Sequence, residues 1–208
     1  MIHNMVFDMG NVLIRWVPDK IIDWAFESLG LEAAPGEKAM MKRAIFDDWE
    51  WPALDHGIYT PQEGYELIKK KLPGHLHAAA ECCICRWWQG PMYPLPGMAQ
   101  LIKELSEKGY PIYLLSNASR DLHIYFKKIP GSEYFIGGIV SADVKLLKPV
   151  PEIYHALFDK YSLIPEECCF IDDNQLNIEA ARLCGMDGIV YFGDTELLRS
   201  QLKDRGVL

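Results

Sequence analysis

Four short stretches of this chain place polar side chains where a buried strand should end. Asp8 closes the apolar run Met5-Val6-Phe7 and is followed by Met9, Gly10 and Asn11. A carboxylate at the carboxyl end of a parallel strand lies where open α/β sheets bind ligands. It can serve there as a nucleophile or as a ligand for a hard cation. The second stretch ends Leu114-Leu115 in Ser116 and Asn117, the third is Lys148-Pro149, and the fourth is Phe170-Ile171-Asp172-Asp173 with Asn177 beyond. Each has an ordinary reading by itself. Asp8 suits a turn, Ser116 and Asn117 suit a helix cap, and a lysine before a proline suits a solvated loop. The adjacent aspartates are harder to dismiss, because paired carboxylates repel and raise a pKa unless a cation balances them. Together with Asp8 they form the kind of cluster that holds Mg²⁺ through one to three protein oxygens plus waters. A hydroxyl, an amide and an ammonium beside that cluster complete a pocket for a dianionic phosphate.

The elements that must position these groups follow from the apolar pattern. Strand-like runs recur at Met5–Phe7, Ile112–Leu115, Gly138–Val140, Cys169–Ile171 and Ile189–Tyr191. Helical stretches separate most of them, the alternation of a parallel sheet covered on both faces. Pro96-Gly97 opens a helix with Met98, Leu101, Ile102 and Leu105 at helical spacing, and Gly109 stops it. A helix from Pro151 carries Ile153, Leu157, Phe158 and Tyr161 inward, and one after Asp173 packs Ile178, Ala181 and Leu183 before ending at Gly185. From about Val17 to Tyr93 the pattern is helical throughout, with Thr60 and Glu63 placed as a capping box around Pro61. Four or so helices inserted after the first strand predict a separate lobe above the carboxyl edge of the sheet. Its linkers lie near Val17 and Pro94–Gly97. The tryptophan pairs Trp49/Trp51 and Trp87/Trp88 fill the core of that lobe, with one or two facing the cleft.

Composition excludes several classes. The 208 residues suffice for one α/β domain with a large insertion, and a formal charge of -8 without a basic stripe argues against a nucleic-acid surface. No apolar run approaches the roughly 20 residues a bilayer span takes, and no signal peptide opens the chain, so a cytoplasmic protein is expected. Cys82, Cys83 and Cys85 fall in a helix and Cys168-Cys169 in a strand, which reads as buried reduced thiols rather than a zinc site. The histidines His56, His75, His77, His123 and His155 show no triad or metal spacing. Lys69–Lys71 form the polar end of a helix, and Arg120 reads as a surface ion-pairing group.

With these four motifs in order, the chain resembles the haloacid dehalogenase-like hydrolase superfamily over its full length. Val6-Phe7-Asp8-Met9-Gly10 matches the first motif, Leu115-Ser116-Asn117 the second, Lys148-Pro149 the third and Ile171-Asp172-Asp173 the fourth. The insertion is placed like the helical cap found between motifs one and two. The resemblance implies a Rossmann-like α/β core of residues 1–16 and 94–208, with a helical-bundle cap of residues 17–93. It implies Asp8 as the nucleophile that becomes an aspartyl-phosphate, and Ser116 and Lys148 as phosphate binders. Mg²⁺ is expected on the Asp8 carboxylate, the Gly10 carbonyl and Asp173, with Asp172 close by through water. Asn11, Asn117 and Asn177 are expected on the substrate side. The substrate implied is a small phosphorylated metabolite, sugar-like in its nearest resemblance, with neither nucleic acid nor membrane as a partner.

One position departs from the family pattern. Gly10 stands where these phosphatases usually carry a second aspartate that protonates the leaving group and activates water. General acid–base help is worth about 10²–10⁴-fold, so slow turnover on poor leaving groups is expected. Phosphatases with a similar Asp-x-Gly-Asn-Val segment tolerate the glycine. Two other readings stay open at this point. A 2-haloacid dehalogenase would use the same aspartate without metal, although Asp172-Asp173 would repel its substrate, its usual tyrosine is replaced by Gly10, and Arg15 is off the expected spacing. A non-catalytic phosphate- or partner-binding protein on this fold would explain Gly10 directly.

Overall fold

The computed structural model describes residues Met1–Leu208. Five parallel strands form one sheet: β1 (Asn4–Phe7), β2 (Ile112–Ser116), β3 (Phe135–Val140), β4 (Cys168–Asp172) and β5 (Asp187–Val190), in the order β3-β2-β1-β4-β5. The chain builds outward from β1 to β3 and then crosses back to place β4 on the other side. The topological switch therefore lies between β1 and β4, where open α/β sheets bind ligands beyond the carboxyl ends.

Alternation along the strands splits the core into two faces. Met5, Phe7, Ile112, Leu114, Cys169 and Ile171 belong to one apolar cluster, with α6 (Met98–Glu107) and α11 (Thr195–Asp204) packed on that side. Val6, Tyr113, Leu115, Cys168 and Phe170 point the other way onto α9 (Pro151–Tyr161) and α10 (Gln175–Leu183). Cys168 and Cys169 thus face opposite layers, while Cys82 and Cys83 are buried in a separate helix, so these thiols do not converge.

Between β1 and β2 lie α1 (Pro18–Ser28), α2 (Glu37–Ile45), α3 (Glu50–Asp55), α4 (Pro61–Ile68) and α5 (His77–Cys85). The capping box forms at α4: the Glu63 N–H donates to Thr60 Oγ1 at 3.2 Å and the Thr60 N–H to Glu63 Oε2 at 2.8 Å. The inserted helices bury Ile22, Met41, Ile45, Ile68 and Leu76, all in the same apolar cluster as one face of the sheet. The outgoing and returning chains run side by side. The Arg15 N–H donates to the Tyr93 carbonyl at 2.8 Å and the Leu95 N–H to the Leu13 carbonyl at 2.9 Å.

Three sequence expectations need correction or refinement. Leu183 is 89% exposed, because five residues beyond Ile178 it has turned about 140° away from the packed face. The inner side of α9 also includes Tyr154, which is fully buried, whereas Tyr161 packs against the same cluster only partly buried. The Tyr161 ring lies 4.8 Å from that of Tyr113, and its hydroxyl accepts the Gly138 N–H at 2.7 Å and donates to the Gly138 carbonyl at 3.1 Å. It thereby satisfies backbone groups that an edge strand otherwise leaves open. Strand β3 also begins earlier than its apolar pattern suggests, at Phe135, and Ile136 on it is 64% exposed.

The inserted helices are docked onto the sheet through the segment after α3. Two short helices follow β2 and β3, α7 (Leu122–Tyr125) and α8 (Ser141–Val144). The Ser141 hydroxyl donates to the Asp55 carbonyl, and His56 Nε2 meets the Lys145 carbonyl at 2.9 Å. Gly57 adopts φ +71°, and a Cβ there would come within 2.4 Å of the Ala142 carbonyl oxygen. Gly57→Ala is therefore expected to lose more than the roughly 1–2 kcal/mol of a left-handed alanine, since the docking contact must also open. Gly36→Ala provides the control, with φ +86° and open space around its Cβ. Urea unfolding of both variants checks this, and equal losses would contradict the docking role.

Candidate active site

Asp8 follows directly on β1, and its N–H donates to the Ile171 carbonyl at 2.9 Å, so β4 fixes its backbone. The chain then turns tightly. Met9 O accepts the N–H groups of Val12, Leu13 and Ile14, and Asn11 takes a left-handed conformation at φ 53°, which asparagine tolerates better than most residues. Asn11 Oδ1 accepts the Trp16 N–H at 3.0 Å, and its Nδ2 donates to Asp173 Oδ2 at 3.0 Å. One amide therefore ties the β1 loop to the β4 loop.

Lys148 lies at the centre. Its side chain is 1% exposed, and Nζ donates to the Leu115 carbonyl at 2.9 Å and to Asp172 Oδ2 at 2.6 Å. Nζ also stands 2.9 Å from Asp8 Oδ1 as an ion pair without hydrogen-bond geometry, so that oxygen is buried with no hydrogen-bond partner. Asp172, fully buried, accepts from Lys148, from the Asn174 N–H at 2.8 Å and from Asn177 Nδ2 at 3.0 Å. Asn117 holds the Lys148 backbone from both sides, accepting its N–H at 2.9 Å and donating to its carbonyl at 3.0 Å. Ser116, the last residue of β2, is 1% exposed.

The structure thus brings Asp8, Ser116, Lys148, Asp172 and Asp173 to one edge of the sheet. It gives two of the expected substrate contacts a different setting. The Asn177 amide is occupied by Asp172 and lies off the cleft, and the Asn117 amide is occupied by the Lys148 backbone although the residue lines the cleft. The spacing in the sequence located both asparagines beside the site. It could not reveal that the Lys148 backbone and Asp172 would consume their hydrogen-bonding groups.

Burial pushes the Asp8 carboxyl up to about 6, against the opposing pull of Lys148 and with help from Asp172. Burial also raises Asp173, which Asn11 partly offsets. For Lys148 burial works to lower the pKa, but the charges of Asp8 and Asp172 outweigh it and raise the group. Oxygens of Asp8, Asp172 and Asp173 lie within 4.8 Å of one another. Ionised, these three carboxylates against one ammonium leave two negative charges unbalanced. That surplus, the all-oxygen donors and an Asp8 Oδ1 without a hydrogen bond fit a hard divalent cation.

Above the carboxylates opens a cleft of about 270 Å³. Asp8, Met9, Gly10, Asn11 and Asp173 form its floor, and the loop Asn117–Ser119 one side. Its wall is a chain of aromatic rings, with Trp16 5.4 Å from Trp51 and 5.0 Å from Trp87, and Trp87 4.8 Å from Tyr125. Trp51 and Trp87 are the members of the tryptophan pairs that face the cleft, whereas Trp49 is 54% exposed and rests on Tyr59. Asp55 at the end of α3 completes the lining. Sequence reading missed Trp16, Tyr125, Asp55 and Ser141. Only Ser141 carried a signal, being a polar residue directly after a strand, and its hydroxyl accepts the Ala118 N–H at 2.9 Å. Arg15 does not line this cleft, and Arg120 stands 3.7 Å from Asp143 on the surface.

Comparison with known proteins agrees with this arrangement. Residues 2–185 match the family model of the haloacid dehalogenase-like hydrolases. A sesquiterpene phosphatase, astK, of Aspergillus oryzae is 27% identical over 187 residues, 88% of this chain and 87% of the relative. A D-ribitol-5-phosphate phosphatase of Bacteroides thetaiotaomicron is 27% identical over 196 residues, 90% of each. Among solved structures, a family enzyme from Bacteroides thetaiotaomicron in complex with magnesium and inorganic phosphate superposes with a TM-score of 0.72 at 24% identity, covering 95% of this chain and 99% of that one. The L-2-haloacid dehalogenase of Xanthobacter autotrophicus superposes with a TM-score of 0.64 at 17% identity, over 100% of this chain and 85% of its own. No helix is long and apolar enough to cross a membrane. With the motifs, the sheet order and the family match in agreement, this chain belongs to the haloacid dehalogenase-like hydrolases.

Proposed function

We propose that this hydrolase is a Mg²⁺-dependent phosphomonoesterase for a small phosphorylated metabolite whose organic part is neutral. The observation that carries this reading is the surplus of negative charge around Lys148, with Asp8 Oδ1 left without a hydrogen bond at the floor of the cleft. A metal-free dehalogenase would have to bring a carboxylate substrate against those same charges. No arginine lines the cleft to receive it.

In the proposed reaction an Asp8 oxygen attacks phosphorus in line, forming an aspartyl-phosphate that water then opens. Lys148 balances charge on the phosphoryl oxygens from a position that Asp172, Leu115 and Asn117 hold fixed. Ser116 contributes a hydroxyl at the same strand edge. Asp8, the Gly10 carbonyl and Asp173 would hold Mg²⁺, with Asp172 beside it. When bound, the cation adds electrostatic stabilisation of the transferring phosphoryl group. Asn177 and Asn117 position Asp172 and Lys148, and Asn11 positions Asp173.

We assign residues 17–93 as the cap and residues 1–16 and 94–208 as the catalytic core. The cap supplies Trp51, Asp55 and Trp87 to the cleft. An aromatic wall without a lysine or arginine suits a sugar-like or hydrocarbon group rather than a second phosphate. The relatives' substrates, a ribitol phosphate and a sesquiterpene phosphate, share that feature.

Two measurements test the reading. Asp8→Asn is expected to abolish phosphate release from p-nitrophenyl phosphate while the protein stays folded, and undiminished release would exclude Asp8 as nucleophile. Adding Mg²⁺ at a hundredfold excess over its Kd is expected to stabilise the wild-type protein by about 2.7 kcal/mol, read as a rise in melting temperature. Asp173→Ala should lose most of that rise, and chelator should stop turnover. Halide release from 2-chloropropionate that survives chelation would favour the dehalogenase chemistry.

A further inference from the structure

The loop after Asp8 contains no group able to donate a proton to a leaving alcohol. At Gly10 a Cβ would meet nothing within 4 Å, so the place of a side chain there is open space. Asn11 next to it is committed to Asp173 and the Trp16 backbone. Histidine does not fill the gap, since His56 turns to the Lys145 carbonyl and His123 to Asp143 on the surface.

The titratable groups that line the cleft are Asp8, Asp173, Asp55 and Tyr125. Asp8 and Asp173 belong to the carboxylate cluster, and burial holds the Tyr125 phenol well above its ordinary range. Asp55 is the remaining acid. It reaches the cleft from α3, with no lysine, arginine or histidine acting on its carboxyl. Its placement is firm. The Ser141 hydroxyl donates to its carbonyl, the following residues seat on Ala142 and Lys145, and its carboxyl neighbours the Ser119 backbone.

We propose that Asp55, carried over the site by the inserted helix α3, is the general acid and base that position 10 lacks. The assignment rests on the phosphomonoesterase reading above. In the first step an Asp8 oxygen bonds to phosphorus as the bond from phosphorus to the leaving oxygen breaks. That oxygen keeps the electron pair and takes the Asp55 proton, leaving as an alcohol. In the second step the Asp55 carboxylate takes a proton from water as the water oxygen bonds to phosphorus. The bond from Asp8 to phosphorus then breaks, inorganic phosphate departs, and both carboxyl groups return to their starting states. The environment suits this cycle: burial first, and the Asp8 charge second, raise Asp55 well above the ordinary carboxylate range, opposed only by the Ser119 backbone. The larger cause, burial, acts whatever charge resides at Asp8. The reaction then needs the inserted helices in place, because the nucleophile follows β1 and the acid ends α3.

Pre-steady-state quench of wild type and Asp55→Asn, with Mg²⁺ present, tests this using p-nitrophenyl phosphate and benzyl phosphate. p-Nitrophenolate leaves without help, so its first-turnover release in Asp55→Asn should stay within about tenfold of wild type. A burst of one equivalent should follow, then slow turnover as phosphoenzyme accumulates. Benzyl alcohol release should fall about 10²–10⁴-fold in the first turnover. The ratio between the two substrates comes from one preparation and does not depend on the fraction folded. Equal losses for both substrates, or no loss for benzyl phosphate, would overturn the role of Asp55 and leave the phosphatase reading standing. A wild-type protein that releases neither alcohol would overturn both.

Discussion

A single buried ammonium organises this molecule. Removing an ion from water costs several kcal/mol even after relaxation, and an unpaired buried charge costs about 3–5 kcal/mol in measured cases. Lys148 is tolerated because its ammonium donates to the Leu115 carbonyl and to Asp172 and pairs as an ion with Asp8, three groups contributed by three different strands. Those acceptors converge only if β2, β1 and β4 are adjacent and in register, which is the sheet order observed. Stability and site geometry therefore make the same demand on the fold. Asn177 and Asn174 lock Asp172, and Asn117 locks the Lys148 backbone. The charges are held in place before any ligand arrives, which is what electrostatic preorganisation requires.

The charges do not cancel, and the excess gives the site its chemistry. Asp173 and Asp8 add more negative charge than Lys148 neutralises, a surplus that suits a divalent cation. The aromatic wall is shared, Trp51 and Trp87 coming from the insertion and Trp16 and Tyr125 from the segments after β1 and β2. A run of touching rings from Trp51 through Trp16 and Trp87 to Tyr125 presents an apolar face, and such contacts are worth about 0.5–1.5 kcal/mol per pair beyond burial. That wall and the sheet share one continuous apolar cluster. Helix α3 is thus positioned by the same packing that stabilises the fold.

The strands, their parallel arrangement and the four polar strand ends were legible because each leaves a local mark. An apolar run of strand length followed by a polar side chain reads the same way in any context. Ser141 obeyed this rule but followed an edge strand whose glycines and exposed Ile136 weaken the pattern. Leu183 shows a different failure. It is an apolar residue at a helix end, where the packed stripe has turned away from it. Asn117 and Asn177 were found in place, but Asn117 bonds a residue 31 positions away that only the fold brings near, and Asn177 turns back onto Asp172, 5 residues before it.

By itself the sequence determined the sheet, the family and the polar residues at the cleft floor, since these depend on periodicity and on which residues end the strands. The tertiary structure alone decided what faces that floor. A helix's own pattern says which side is apolar but not how the helix is rotated and shifted over its neighbour. The side chains of the insertion that meet the cleft are set by packing across long sequence separations. Asp55, with no local feature to set it apart from any acid at a helix end, becomes distinctive only through its position above Asp8.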